Sequence, residues 1–513
     1  MRQILGKHML ICCLFFNSSL LLAEEDWSLY GNNYQNHRHS PLKQLTRDSI
    51  EDLKLTWRYH TGIKASFQAT PIVVDGVMYL STPFNDVLAL QADNGQPLWR
   101  YQHQRKAGKT CCGPANRGVA VHNGKVFQAT IDGRFLALDQ VSGDVLWDIP
   151  VLDQKVDIEG SLDLPAGATA EIFKNSRVRG DSGHSFNMAP QVYQDKVFVG
   201  STGAGYGLHL DTEKGLSVVG MSDDQTGLRG FLAAFDTHSG KELWRWYSVP
   251  GPEWVGQWQK TTVAGDALNR DIEAEQSRHE SLPNSWQLGG GSIWTTPAID
   301  TETGWLFIGT GNPSPNMEDS SRPGDNLHTS SIVAIDSATG ELMWAFQQVP
   351  HDRWGYDVSS PPVLFELDYQ GEKIPALGQA GKTGWFYVLN RRTGELLFKS
   401  ESFVPQSNLF AQPTEDGTTI SPAILGGVGW SPVAIDPVKQ HVFIPAIHQP
   451  ATYYQMPLEG NNNTLWDHYS YFEFSPQRWG TLTAINLKDG DIIWQHKSRL
   501  PLVGGALHTQ GDL

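Results

Sequence analysis

The chain has 513 residues, a formal net charge of −16 and 4 cysteines. That charge disfavours nucleic acid and anionic membrane surfaces as partners, and past residue 23 no stretch is long and apolar enough for a membrane helix. No Ser/Gly linker, charge block or low-complexity tract divides the sequence. Its 18 tryptophans and 51 glycines suit one large fold of many short strands and turns.

The first 23 residues read as a signal peptide. Arg2 and Lys7 precede an apolar run over 9–23, and the acidic Glu24, Glu25 and Asp26 follow. The expectation is an exported chain with a single domain over 24–513. Cys12 and Cys13 leave with the leader, so the exported chain carries only the adjacent Cys111 and Cys112. Ile11 rather than a small residue precedes Cys12, which argues against a lipoprotein.

One pattern then recurs along the chain, Ala-x-Asp-x-x-(Ser/Thr)-Gly-x-x-x-Trp with some drift. It reads ALQADNGQPLW from Ala89, ALDQVSGDVLW from Ala137, AFDTHSGKELW from Ala234, AIDSATGELMW from Ala334, VLNRRTGELLF from Val388 and AINLKDGDIIW from Ala484. The glycines, at 95, 143, 240, 340, 394 and 490, fall one or two units of roughly fifty residues apart. Each copy reads as a strand, a tight turn that uses glycine for its backbone, and a strand whose Trp packs on a neighbour. Apolar runs between copies, such as TPIVVDGVMYLST (70–82), supply further strands. The class is all-β and the architecture a propeller, with the longer intervals expected to hold blades whose signature has decayed. A ligand site is expected at one end of the central channel. The end of the chain, GGALHTQGDL (504–513), reads as a strand opening another blade. The expectation there is a ring short of closure, or closed by a strand from elsewhere.

Several stretches resemble the pyrroloquinoline quinone (PQQ) dependent alcohol dehydrogenases, the eight-bladed quinoproteins. They are WSLYGNNYQNHRHSPLKQL (27–45), TCCGPANRG (110–118), GGGSIW (289–294), GTGNPSP (309–315), RPGDN (322–326), PHDRWGYD (350–357) and GKTGWFYVLNRRTG (381–394). The resemblance implies eight blades, the last incomplete in this chain, and a disulfide between Cys111 and Cys112 that packs on one face of the quinone. From the residues alone, a bridge between neighbours closes almost no loop and so points to a local role. An inert disulfide or two free thiols stand as alternatives.

The same resemblance places Trp294 on the other face of the cofactor, Arg117 at its anionic edge and Lys382 against the quinone oxygens, where positive charge favours a developing oxyanion. Asn187 and Gln68 take the places of a Thr and a Glu of the family's pocket. Asn312 matches an amide ligand of the metal, Ca²⁺ or in some branches a lanthanide. The chain departs from the pattern at three carboxylates. The metal-binding Glu falls on Gly205 or Gln225, with Asp211, Asp223 and Asp224 nearby in an insertion, Gln68 is a second loss, and the family's catalytic Asp is replaced by Gly355. Asp357, two residues on, is the substitute base and a candidate metal ligand, expected to face the same side as residue 355 in a strand. Asp352 is the weaker candidate.

The implied function is a periplasmic dehydrogenase that oxidises an alcohol or sugar hydroxyl with PQQ as hydride acceptor. No Cys-x-x-Cys-His occurs, so electrons pass to a separate acceptor, cytochrome c or a quinone. Two alternatives belong to other classes: a decayed quinoprotein that binds PQQ without turnover, and a non-catalytic propeller that serves as a binding platform.

Overall fold

The computed structural model describes residues 26–105, 114–151, 177–180, 185–202, 208–212, 215–219, 229–457 and 468–513. The leader and the adjacent cysteines therefore lie outside the described residues, as do Gly205, Asp223, Asp224 and Gln225. Among the described residues the main body is six four-stranded antiparallel sheets, at 72–101, 120–150, 191–247, 298–347, 363–399 and 434–498. They are numbered blades 1 to 6 in chain order. The first strands of successive blades approach one another around the axis, as Ile72–Val74 meets Ala120–His122 and Ala298–Asp300 meets Val363–Tyr369.

Blades 2 to 5 are covered by a neighbour on both faces, so their middle strands are apolar throughout instead of alternating, whereas Trp494 in the last strand of blade 6 stays 43 % exposed. Phe135, Leu136, Ala137 and Leu138 of blade 2 are all 0 % exposed. Five cores fill the gaps between consecutive blades. Between blades 2 and 3, for example, Phe127, Phe135 and Ala137 pack on Val197, Val199, Phe231 and Phe235. The recurring motif builds the joint. Its Asp or Asn closes the turn, Asp236 Oδ1 accepting from the amides of His238 and Ser239, and its Gly takes a left-handed conformation. A Trp of the preceding blade, or for blade 1 of the segment before it, lies over that glycine. Trp57 covers Gly95, Trp99 Gly143, Trp147 Gly240, Trp244 Gly340 and Trp344 Gly394, and Phe398 takes the place of Trp over Gly490. The indole also bonds to the turn it covers: Trp99 Nε1 donates to the Gln140 carbonyl at 3.1 Å and Trp344 Nε1 to that of Arg391 at 3.1 Å.

These joints correct the reading of the long intervals. Trp147 lies on Gly240, Trp244 on Gly340 and Phe398 on Gly490, so the blades on either side of each long interval are direct neighbours and no decayed blade stands between them. Six complete blades are described where eight were expected. The extra residues form insertions instead. Strands Leu208–Thr212 and Gly215–Val219 leave blade 3 between its second and third strands, and Ala451–Pro457 and His468–Phe474 leave blade 6 at the same point. With Arg177–Gly180 and Thr418–Ile420 they form one six-stranded sheet, in which Leu216 pairs with Phe472. Because second strands end on one face of the ring, this sheet is a roof over that face. The interval between blades 3 and 4 carries the helix Ile272–Ser281, N-capped by Asp271.

The N-terminal segment runs along the axis. Backbone amides of Val73, Ile299, Leu364 and Ile435, in blades 1, 4, 5 and 6, bond to the carbonyls of Trp27, Tyr34, Gln35 and His37. His39–Ser40 then pairs in parallel with His508–Thr509, so the strand expected to open another blade meets the start of the chain.

The joint is testable at Gly394, where φ is +76° and an added Cβ would stand 2.6 Å from Trp344 Cε3. Gly394→Ala combines backbone strain with overpacking and is expected to cost about 2–4 kcal/mol in urea unfolding. A loss below about 0.5 kcal/mol, the usual range of a surface change, would show that the contact does not constrain the ring.

Candidate functional site

The residues singled out from the sequence converge on the roofed face. Gln68, Arg117, Asn187 and Trp294 stand three or four residues ahead of the first strands of blades 1 to 4. Asn312 and Lys382 follow the second strands of blades 4 and 5, and Asp357 precedes the first strand of blade 5. In an antiparallel blade those positions share one end of the ring.

The first group is built around Arg117, which is 5 % exposed. Its amide donates to the Asn187 carbonyl at 3.0 Å, Nη1 reaches the Trp294 carbonyl at 3.3 Å, and the guanidinium carbon stands 4.6 Å from the centroid of the half-buried Trp294 ring. On the same connections, Asn187 Oδ1, Thr295 Oγ1 and Gln68 Oε1 are buried without a hydrogen-bond partner among the described residues. Thr295 escaped the sequence reading, although its place directly after Trp294 could have flagged it.

The second group holds Asp357, buried at 3 % exposure. Its Oδ1 accepts from the Asn312 amide at 2.6 Å, and its Oδ2 is 3.5 Å from Lys382 Nζ, which also donates to the Gly355 carbonyl at 2.8 Å. The two groups are tied through backbone: the Gly291 amide donates to the Asn312 carbonyl at 2.8 Å and the Gly311 amide to that of Ser292 at 2.7 Å. The glycines of GGGSIW permit this approach. Any Cβ on Gly290 would stand 2.6 Å from the Ser314 amide nitrogen.

The stretch 351–359 is not a strand, which corrects the expected alternation. Gly355 has φ +81°, and a Cβ there would meet Ile424 Cγ1 at 2.6 Å. Residue 355 thus has neither the room nor the backbone for a carboxylate side chain, and Asp357 reaches Lys382 by its own path. Asp352, the weaker candidate, is structural. Its Oδ1 accepts from the amides of Trp354 and Gly355, and its Oδ2 from Ser330 Oγ at 2.9 Å. Burial raises its carboxyl above the usual carboxylate range, with the Asp357 charge adding to the rise.

The roof clamps this loop. Tyr453 of strand Ala451–Pro457 donates to the Trp354 carbonyl at 3.1 Å and accepts from the Ile424 amide at 2.8 Å, and Tyr356 donates to the Pro422 carbonyl at 2.8 Å. Arg353 donates to the side chains of Gln412 and Gln455 and pairs with Asp319 at 3.0 Å. Burial opposes ionisation of Asp319, yet Arg353, His351 and His468 outweigh it and hold the carboxyl well below its ordinary range. These clamps follow no sequence motif. Among the described residues, groups of His and carboxylates close enough to hold a metal occur at Glu318, Asp319 and His468 and at Asp436, His508 and Asp512, not at Asp357. No helix among the described residues is long and apolar enough to cross a membrane.

The sequence profile of the PQQ family described as glucose/ethanol/alcohol dehydrogenase, β-propeller domain, matches residues 27–412. The chain is 33 % identical to a quinohemoprotein alcohol dehydrogenase of Pseudomonas putida and 29 % identical to the quinohemoprotein alcohol dehydrogenase of Comamonas testosteroni. In each case the match covers 95 % of this chain and 65 % of the relative, so the chain spans just under two thirds of their length. The solved structure of the Pseudomonas putida enzyme superposes with a TM-score of 0.74 at 29 % identity, covering 95 % of this chain and 68 % of that one. A europium-containing methanol dehydrogenase gives 0.72 at 25 % identity, covering 95 % and 81 %.

The raised Asp352 carboxyl sets a pH dependence. A carboxyl that holds its proton more tightly in the native state than in the unfolded chain loses stability as pH rises from the unfolded value through the native one. Asp352→Asn keeps the Oδ1 contacts without the charge. Its melting temperature relative to the parent chain is expected to climb over a window that opens near the unfolded carboxyl's value, about pH 4, as read by calorimetry. A constant offset across that window would reject a strained charge at residue 352.

Proposed function

The chain belongs to the PQQ-dependent glucose/ethanol/alcohol dehydrogenase β-propeller family, and from that membership we propose that it oxidises an alcohol or sugar hydroxyl with PQQ as hydride acceptor. The observation that carries the reading is the Asn312, Asp357 and Lys382 cluster, backbone-tied to the Trp294 and Arg117 pair. The donor set fits a flat, polyanionic quinone. A buried guanidinium stands over a half-buried indole, the connections that lead into blades 1, 3 and 4 carry orphaned polar atoms at Gln68, Asn187 and Thr295, and buried polar groups without partners are costly unless a ligand completes them.

In this reading Arg117 would hold the anionic edge of PQQ, with Asn187, Thr295 and Gln68 offering hydrogen-bonding groups and Trp294 an aromatic surface. Cys111 and Cys112, which lie outside the described residues, would cover the other face if joined as the family resemblance implies. Asn312 and Asp357 would be the described residues offering oxygens to Ca²⁺ or a lanthanide, and Gln225 is a further candidate. PQQ supplies a two-electron acceptor when bound and the cation supplies Lewis acidity. The Asn312 amide occupies Oδ1 of Asp357 and aims Oδ2 into the site, where it takes the proton of the substrate hydroxyl. Lys382 fixes both Asp357 and the Gly355 carbonyl, and the roof keeps water from the reacting atoms. The chain acts in the periplasm and passes electrons to a separate acceptor, cytochrome c or a quinone.

The test is dye-linked turnover of the PQQ-loaded chain over a panel of alcohols and sugars. Asp357→Asn is expected to lower kcat by about 100-fold or more, while the PQQ affinity read by fluorescence stays within about twofold. Arg117→Ala is expected to weaken PQQ binding by about tenfold, equivalent to ~1.4 kcal/mol. Full turnover in Asp357→Asn would remove it as the base.

A further inference from the structure

The two groups of histidine and carboxylate side chains close enough to hold a metal differ in what surrounds them. At Glu318, Asp319 and His468 the protein already supplies positive charge, since Asp319 pairs with Arg353 and with His351, each at 3.0 Å. At Asp436, His508 and Asp512 the ligand atoms lie within 4.8 Å of one another, and the cation paired with both carboxylates is the half-exposed ammonium of Lys439. Strand Ala434–Asp436 of blade 6 lies there against both His39–Ser40 and His508–Thr509, the pair that joins the axial segment to residues 508–509.

Asp436 and His508 are both buried, and each is held by one end. Asp436 Oδ1 accepts from the amides of Val438 at 2.9 Å and Lys439 at 3.0 Å, while its Oδ2 accepts no hydrogen bond and faces His508 Nε2 at 3.8 Å. The His508 ring stacks on Phe443 and on His39, with centroids 5.2 Å and 5.0 Å away, and its Nδ1 lies 2.9 Å from Nδ1 of His39. When His508 holds the proton between those two nitrogens, its Nε2 is a bare lone pair aimed at a carboxylate oxygen. In the other tautomer its Nε2 proton stops short of Asp436, so neither arrangement completes the pair. Two ligands about 2.0–2.1 Å from one zinc ion stand about 3.4 Å apart in a tetrahedron. A separation of 3.8 Å is nearer to that than to a hydrogen bond.

We propose that Asp436, His508 and Asp512 bind a divalent transition metal, zinc by their chemistry, which fastens the axial segment and residues 508–512 to blade 6. One imidazole nitrogen with two carboxylate oxygens is a donor set for Zn²⁺, whereas Ca²⁺ and Mg²⁺ take oxygen alone. His39 is the positioning residue: it accepts from His508 Nδ1 and so keeps Nε2 bare for the ion. Asp512 is half-exposed and turns inward, and the ion takes the place of the Lys439 ammonium, which moves into water. This site is separate from the one that carries the alcohol-oxidising reading and does not depend on it.

The experiment strips the full chain with EDTA and titrates it with zinc chloride by calorimetry, with the melting temperature followed in parallel. Zinc is expected to bind and to raise the melting temperature. Asp512→Asn and His39→Gln are expected to weaken that binding by about tenfold to a hundredfold. Lys439→Gln, which removes the competing ammonium, is expected to tighten it by about twofold to fivefold, a gain that misfolding cannot imitate. Cobalt(II) in place of zinc is expected to give the visible bands of a nitrogen and oxygen set without thiolate charge transfer. A parent chain that binds no zinc overturns the inference, as does an affinity shared by the parent chain, Asp512→Asn and His39→Gln. A thiolate band overturns it too, because the ion then sits on the cysteines.

Discussion

The tryptophan that lies over the next blade's glycine is the contact on which the rest of the molecule depends. It joins two sheets by dispersion across an indole face, and in most blades it adds a hydrogen bond from the indole nitrogen to the covered turn. Any other residue at the turn would put a Cβ into the ring and leave the left-handed backbone strained. Repetition of this contact sets the angle between blades. That angle in turn brings Gln68, Arg117, Asn187, Trp294 and Asp357, which arrive on separate connections, to one end of the axis.

Insertions can lengthen without disturbing the ring because the joints lie at the turns between third and fourth strands, while the insertions leave from the opposite end. Blade 6 gives up a hairpin between its second and third strands, yet His448 still pairs with Trp479 across the base of that excursion. The excursions from blades 3 and 6 meet through Leu216 and Phe472. They enclose the end of the ring where charge is concentrated. Buried ionic contacts such as Arg353 with Asp319 then fix the site loop at a depth where unpaired charge would be costly.

The repeat was legible in the sequence because its physical demand is local. An Asp or Asn that caps a turn, a Gly that takes positive φ and a Trp at a fixed distance recur wherever the joint recurs. The long intervals were not, since spacing alone cannot separate a faded blade from a lengthened loop, and only the seat of Trp147 on Gly240 decides it. At the site, Asp357, Lys382 and Asn312 were singled out as residue types, and the fold brings the three into contact. What could not be read was the backbone at Gly355, whose conformation is set by Ile424 and by the Lys382 ammonium, residues remote in the chain. The roof was equally hidden, because strand pairing between residues about 250 positions apart leaves no local pattern.

The axial segment has a consequence for how the chain reaches this state. Residues 27–40 are among the first made, yet Asn36 bonds to the carbonyls of Thr296 and Pro362, and the His37 ring to that of Leu364, across separations of 260, 326 and 327 residues. Those contacts give nothing back until blades 4 and 5 exist, while the entropy of closing so large a loop falls due at once. Each Trp-over-Gly joint needs only the preceding blade. Blades can therefore condense one after another as the chain emerges, with the leading segment left in water until blade 6 and residues 508–509 arrive to receive it. Docking of this segment is then the last and slowest event of folding, and the intermediate that precedes it exposes the apolar first strands that the segment finally covers.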